Sequence, residues 1–154
     1  MTDLGKQVTE LARLVQLVEV NPTATFSSIR PGSRIPPAGE QIDLSIDTKV
    51  GVVRTGETAF AVVARFNIRA KTKDASKPFA RFSSRFFARY ENAGASPDEV
   101  RMAFAQWNGM VHLWPYLRAH VQGASAQLGL VPITIPVFRA QPNAAAQPDA
   151  TKKD

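Results

Sequence analysis

Apolar positions along this chain fall first at helical spacing, then at every second residue, then at helical spacing again. Leu4, Val8 and Leu11, following Asp3 as a candidate N-cap, predict a short helix over residues 3–12. Leu14 to Phe26 is rich in Val and Thr and reads as extended, and Pro22 inside it argues for an edge position or a bulge. Ser28 to Gly39 holds Pro31, Gly32, Pro36, Pro37 and Gly39, the punctuation of a loop, with Ile29 and Ile35 within it. Three alternating segments follow. Ile42, Leu44 and Ile46 oppose Asp43, Ser45 and Asp47. Phe60, Val62, Ala64, Phe66 and Ile68 share a face, opposed in their second half by Arg65, Asn67 and Arg69. Phe82, Phe86 and Tyr90 oppose Arg81, Ser83, Arg85 and Arg89. Alternation of this kind, joined by polar turns, describes an antiparallel sheet with one face on a core and one in solvent.

The period then returns to helical. Ser96-Pro97-Asp98-Glu99 has the form of a capping box, with Ser96 as N-cap, Pro97 at the first helical position and Glu99 closing the box. Val100, Phe104 and Trp107 follow at helical spacing, and Asn108-Gly109 is a candidate break. A second helix carries Leu113, Tyr116 or Leu117, and Val121, with Pro115 in its first turn and its end near Gly129. Leu130 to Phe138 is apolar, interrupted twice by Pro, and reads as extended. Residues 1–140 are read as one α+β domain, and the Pro, Ala, Gln, Asp and Lys stretch over 141–154 as a disordered tail. There is no internal repeat.

Composition narrows the function. Cysteine is absent, which excludes disulfides and thiolate metal sites. No apolar run reaches the roughly 18–20 residues of a membrane span, and the first residues lack the pattern of a secretory signal. A cytoplasmic protein without membrane insertion is the expectation. Nineteen Lys and Arg against thirteen Asp and Glu give a net charge of +6, which favours an acidic partner.

Candidate catalytic chemistry is sparse. His112 and His120 lie about two turns apart in the second helix, but that helix offers no Asp, Glu or Cys to complete a metal site. Asp43 and Asp47 share a strand face and resemble paired carboxylates. The same-side Arg65 and Arg69 explain them better as cross-strand ion pairs. No nucleophile elbow or phosphate-binding glycine loop is present. The sequence argues against an enzyme and calls for no cofactor and no metal. Arg65, Arg69, Arg81, Arg85 and Arg89 project from one side of two neighbouring strands, as either a solvated face or a docking face for an acidic partner. RNA-binding sheets interleave aromatics with basic residues, and here only Phe87 lies in that row, which argues against nucleic acid.

The C-terminal part carries a resemblance. Leu113-Trp114-Pro115-Tyr116-Leu117-Arg118 is similar to the apolar-aromatic-Pro-Tyr-x-Arg signature that opens the long helix of SecB-type protein-export chaperones. Pro132-Ile133-Thr134-Ile135-Pro136-Val137-Phe138 resembles a shortened form of that family's Pro-Val segment, and Leu17 to Phe26 resembles its first strand. The resemblance spans about residues 12–138. It implies a four-stranded antiparallel sheet followed by a short and a long helix packed on one face, assembly as a dimer of dimers, and an ATP-independent holdase function. It also implies grooves for unfolded or nascent polypeptide. The residues matched to those grooves are Ile29, Ile35, Trp114, Leu117, Val121, Leu128, Val131, Ile133 and Ile135, with core or oligomer packing as the alternative for each.

The chain departs from the family in its charge. The family docks the SecA motor through carboxylates on and near its first strand, where this chain has Thr23 and Ser27, and the sheet face here carries arginines. The family's last helix is replaced by the polar tail. These departures point away from SecA-coupled export and towards a dedicated client, such as an antitoxin in a toxin–antitoxin–chaperone system, or a role on a mobile element. The alternative is a non-enzymatic adaptor that binds an acidic partner or nucleic acid through the arginine face.

Overall fold

The computed structural model describes residues 3–138, so the tail expected over 141–154 lies outside the described residues. The elements run α1 (Asp3–Leu14), β1 (Gln16–Ile29), β2 (Ile42–Arg54), β3 (Phe60–Thr72), β4 (Ala80–Glu91), α2 (Asp98–Phe104), a π-turn (Ala105–Gly109) and α3 (Met110–Gln127). The four strands form one antiparallel sheet in the order β1-β4-β3-β2. The expected α+β architecture is the one observed.

The period-two pattern determines which way the sheet faces. Phe60, Val62, Ala64, Phe66 and Ile68 of β3 are buried, as are Phe82, Phe86, Ala88 and Tyr90 of β4. Register places these residues side by side, with Phe60 opposite Tyr90 and Ala64 opposite Phe86. Phe60 and Tyr90 stack at 5.3 Å, and Phe104 of α2 meets both edge-on at 5.7 and 5.1 Å. These rings form the centre of the core, each large buried side chain contributing on the order of 2 kcal/mol of apolar transfer. Against this face lie Leu113, Leu117 and Val121 of α3, all fully buried.

The edges obey their sequence signals. β1 is an outer strand, and Pro22 sits at one of its two register shifts, where a missing N–H costs no ladder bond. The strand begins later and ends later than expected: Leu14 closes α1, and Ile29 pairs with Ala80 as the last residue of β1. Because β1 and β2 occupy opposite edges, the connection over residues 30–41 must cross the end of the sheet. The Arg30 N–H donates to the Phe79 carbonyl at 2.8 Å and holds the crossover there.

Two expectations for the helices are corrected. The capping box does not form. Pro97 is the N-cap, with no side-chain cap bond, because the Ser96 hydroxyl accepts instead from Nε of Arg101 at 2.9 Å. Arg101 is buried, and its guanidinium lies 5.6 Å from the Phe60 ring centre. Nor does Asn108-Gly109 break the helix. Residues 98–127 are continuous, and the wide π-turn inserts one extra residue between Phe104 and Gly109. That insertion shifts the buried stripe from Val100 and Phe104 to Gly109 and Met110, then Leu113 and Leu117. Trp107, which simple helical spacing would bury, is 47% exposed. Pro115 therefore lies within a helix rather than at its start. Gly109 packs closely on the sheet: a Cβ there would lie 3.2 and 3.3 Å from the two methyls of Val62.

Candidate functional site

Helix α3 ends in a hydrogen-bonded reversal that builds one wall of the candidate site. Gly129, at φ +74°, allows the Leu130 N–H to reach the Ser125 carbonyl and its own N–H to reach the Ala126 carbonyl, both at 3.0 Å. This is a Schellman motif. The chain then returns along α3 as an extended strap over residues 130–138. The Ser125 hydroxyl accepts from the Ile133 N–H at 2.9 Å, and Nε1 of Trp114 donates to the Pro136 carbonyl at 2.7 Å. Trp114 also packs against Phe66 at 6.2 Å and Phe138 at 5.1 Å. Ile133 and Ile135 point inward, while Val131, Thr134 and Val137 point outward.

The other wall is the crossover. Arg34 and Glu40 bridge it with two hydrogen bonds of 2.7 Å. The hydrogen bond to Arg34 lowers the Glu40 carboxyl below its ordinary range, and the same bond raises Arg34. Gly32 and Gly39, at φ +73° and +87°, take up the two sharp bends.

Between crossover and strap lies a mostly apolar cavity of about 220 Å³. Pro36, Pro37 and Gly39 form one side; Leu130 to Thr134 form the other; Ile42, Leu44 and Phe79 form the floor. Ile42 and Leu44 belong to β2, whose outer edge has no strand partner among the described residues. The site thus combines an apolar hollow with a row of free main-chain groups. That pairing suits an extended polypeptide, which can add as a strand while a side chain enters the hollow.

Of the nine residues matched to grooves, the structure brings Val131 and Ile133 into this cavity. Ile35 is exposed on the crossover, outside the lining. Ile29 and Leu128 are half-buried against the core, and Trp114 is engaged by the strap. Leu117, Val121 and Ile135 are fully buried core residues. Pro36, Pro37, Ile42, Leu44, Phe79 and Leu130 line the cavity without being marked by the sequence as site residues. The strand residues among them read as core, and only the crossover geometry leaves one side of them open.

The arginines occupy the opposite, outer face. Arg65 stands opposite Arg85, Arg69 opposite Arg81, and Ala61 opposite Arg89. Asp47 pairs with Arg69, as the sequence suggested, whereas Asp43 faces Lys71. Nδ1 of His112 shares a 2.8 Å hydrogen bond with the Tyr90 hydroxyl within the aromatic core, and Nε2 of His120 has no partner among the described residues. Burial lowers both imidazoles below their ordinary value. Among the described residues, no three His, Asp or Glu side chains converge as a metal site, and no helix is long and apolar enough to cross a membrane.

The architecture is thus a four-stranded antiparallel sheet in the order β1-β4-β3-β2, backed on one face by a long C-terminal helical rod. It is the SecB-like fold: the chain is similar to the Rv1957 SecB-like chaperone of Mycobacterium tuberculosis, solved in complex with a ChAD peptide from the Rv1956 HigA1 antitoxin. The two superpose with a TM-score of 0.75 over 89% of this chain and 100% of that one, at 21% sequence identity. A protein of unknown function from Streptococcus agalactiae aligns with 79% of this chain at 9% identity and a TM-score of 0.43. No protein-family model matches the sequence, and no curated protein matches it.

Proposed function

We propose that this chain is an ATP-independent chaperone of the SecB type, holding extended apolar segments of unfolded or nascent polypeptide. The observation that carries the reading is the cavity between crossover and strap, set against the unpaired edge of β2. Apolar lining gives affinity for many side chains, and main-chain pairing adds affinity without reading sequence. The likeness to a SecB-like chaperone complexed with an antitoxin peptide supports the role, and supports an antitoxin segment as one kind of client. Exposed Val131 in the lining, and exposed Ile35 next to Pro36 in the chain, extend the apolar surface beyond its mouth.

The same reading includes assembly. Leu17 and Val18 on the free edge of β1, and Val111 and Tyr116 on the outer side of α3, are exposed apolar residues that a second copy would cover. Sedimentation should give a species larger than a monomer.

The deciding experiment is suppression of aggregation. A chemically denatured protein is diluted into buffer with and without the folded chain, and light scattering is followed. Suppression at near-stoichiometric ratio, without nucleotide, is expected. Undiminished scattering at several-fold excess of folded chain would refute the proposal.

A further inference from the structure

Folding alone does not account for the charge on the outer face of the sheet. In register, Lys49 of β2 stands opposite Arg65 of β3, and Arg65 opposite Arg85 of β4, so three cations lie side by side across three strands. Opposed residues in an antiparallel pair have Cβ atoms about 5 Å apart, and like charges there destabilise the sheet. Further along, Arg69 and Arg81 form a second opposed pair. Arg69 is matched by Asp47, and Arg89 by Glu19 and Glu91. Lys49, Arg65, Arg81 and Arg85 meet no carboxylate at ion-pair distance among the described residues.

Between the two cationic rows the floor is neutral. The Ser83 hydroxyl donates to Oδ1 of Asn67 at 3.0 Å, and Phe26 of β1 lies opposite Ser83 with 61% of its surface exposed. Two hollows share Phe26, Asn67 and Ser83. One runs to Arg65 and Arg85, the other to Arg69 and Arg81.

We propose that this face is a docking surface for an acidic polypeptide segment, separate from the client cavity and independent of it. The segment's carboxylates take the Arg65–Arg85 row and Arg81, and an apolar side chain rests on Phe26. Guanidinium forks bind carboxylates bidentately. The two rows are about 13 Å apart along the strands, which matches side chains four residues apart in an extended partner. A partner that neutralises the rows also removes the repulsion they cost the free protein. Nucleic acid fits less well. Single-stranded backbones need a cationic groove that continues along their length. Here Asp47 limits the patch on one side, and Glu19 with Glu91 on the other.

The test uses the full chain and fluorescence anisotropy with three labelled probes: a peptide repeating Asp-Asp-Phe-Asp, its Lys-for-Asp counterpart, and oligouridine. The acidic peptide should bind, more weakly as salt rises, and the Lys peptide should not. Arg65→Glu should weaken acidic-peptide binding by about tenfold or more. The same substitution sets a carboxylate between the cations of Lys49 and Arg85, an alternation of charge across the three strands, so the variant should melt higher than the parent. Loss of binding with a raised melting temperature cannot come from unfolding. Should Arg65→Glu fail to fold, Arg65→Gln is expected to show a smaller loss. Unchanged affinity in whichever of the two folds overturns the proposal, as does equal binding of the Lys peptide. Tighter binding of oligouridine than of the acidic peptide at the same salt overturns the choice of polypeptide.

Discussion

Nε1 of Trp114 and the carbonyl of Pro136 lie 2.7 Å apart, and this bond ties the strap to the helix that precedes it. Trp114→Phe keeps an aromatic ring against Phe66 and Phe138 but removes the donor. The expected loss is about 1 kcal/mol of global stability, read from denaturant unfolding. Amide exchange should quicken most at Ile133, whose N–H depends on the strap lying against Ser125.

Val131 and Leu117 separate client binding from stability. Val131 is half exposed at the mouth of the cavity, and Leu117 is fully buried beneath the sheet. Val131→Asp should change stability by no more than about 0.5 kcal/mol and reduce aggregation suppression. Leu117→Ala should cost about 3 kcal/mol through the space it leaves, yet retain suppression at temperatures where it stays folded. The reverse pattern would place client contact on the helix instead.

Acid should weaken the fold before most carboxylates titrate. Burial lowers His112, hydrogen-bonded to Tyr90, and also lowers His120. Protons therefore bind the unfolded chain in preference to the folded one. The contribution of these groups is complete above the unfolded value of about 6.5 and is lost as pH falls from there through the folded values. The urea midpoint should decline from pH 7.5 to pH 5, and His112→Gln should flatten that decline.

The contact between Gly109 and Val62 gives a coupled pair. Gly109→Leu drives a side chain into the Val62 methyls and should cost about 1–3 kcal/mol. Combining it with Val62→Ala should cost less than the sum of the single changes by about 0.5 kcal/mol or more, measured in a double-mutant cycle.

Much of the fold was legible because its signals are local. Alternation in β3 and β4 reads directly as one buried face, and Pro22 marks an edge because a missing N–H has few other places to go. The π-turn was not legible. Asn108-Gly109 resembles a break, yet the helix runs through it with Gly109 packed closely on Val62, a tertiary contact that local sequence does not display. The capping box failed for a similar reason. Ser96 has the right spacing to Glu99, but a buried guanidinium claims its hydroxyl first.

The site was legible in part. The strap was recognisable from Pro132 to Phe138, yet which of its residues open to the cavity depends on Ser125 and Trp114 holding it in phase. The crossover supplied its prolines to the site because it must pass from one edge of the sheet to the other. Strand order is not written in the period of any one strand. The opposed arginines were visible as a charged side, but their direct apposition depends on register.

The π-turn has a consequence for how this helix tolerates change. One extra residue between Phe104 and Gly109 acts as a phase shifter between two half-rods, each keeping its own apolar stripe on the same sheet. Deleting a single residue there would let the wide turn relax into regular α-helix with both stripes still facing the sheet. Winding the same number of residues as regular α-helix would instead turn Trp107 towards the sheet and Leu113 and Leu117 away from it. The π-turn therefore lets this stretch carry one additional residue without moving either stripe off the sheet.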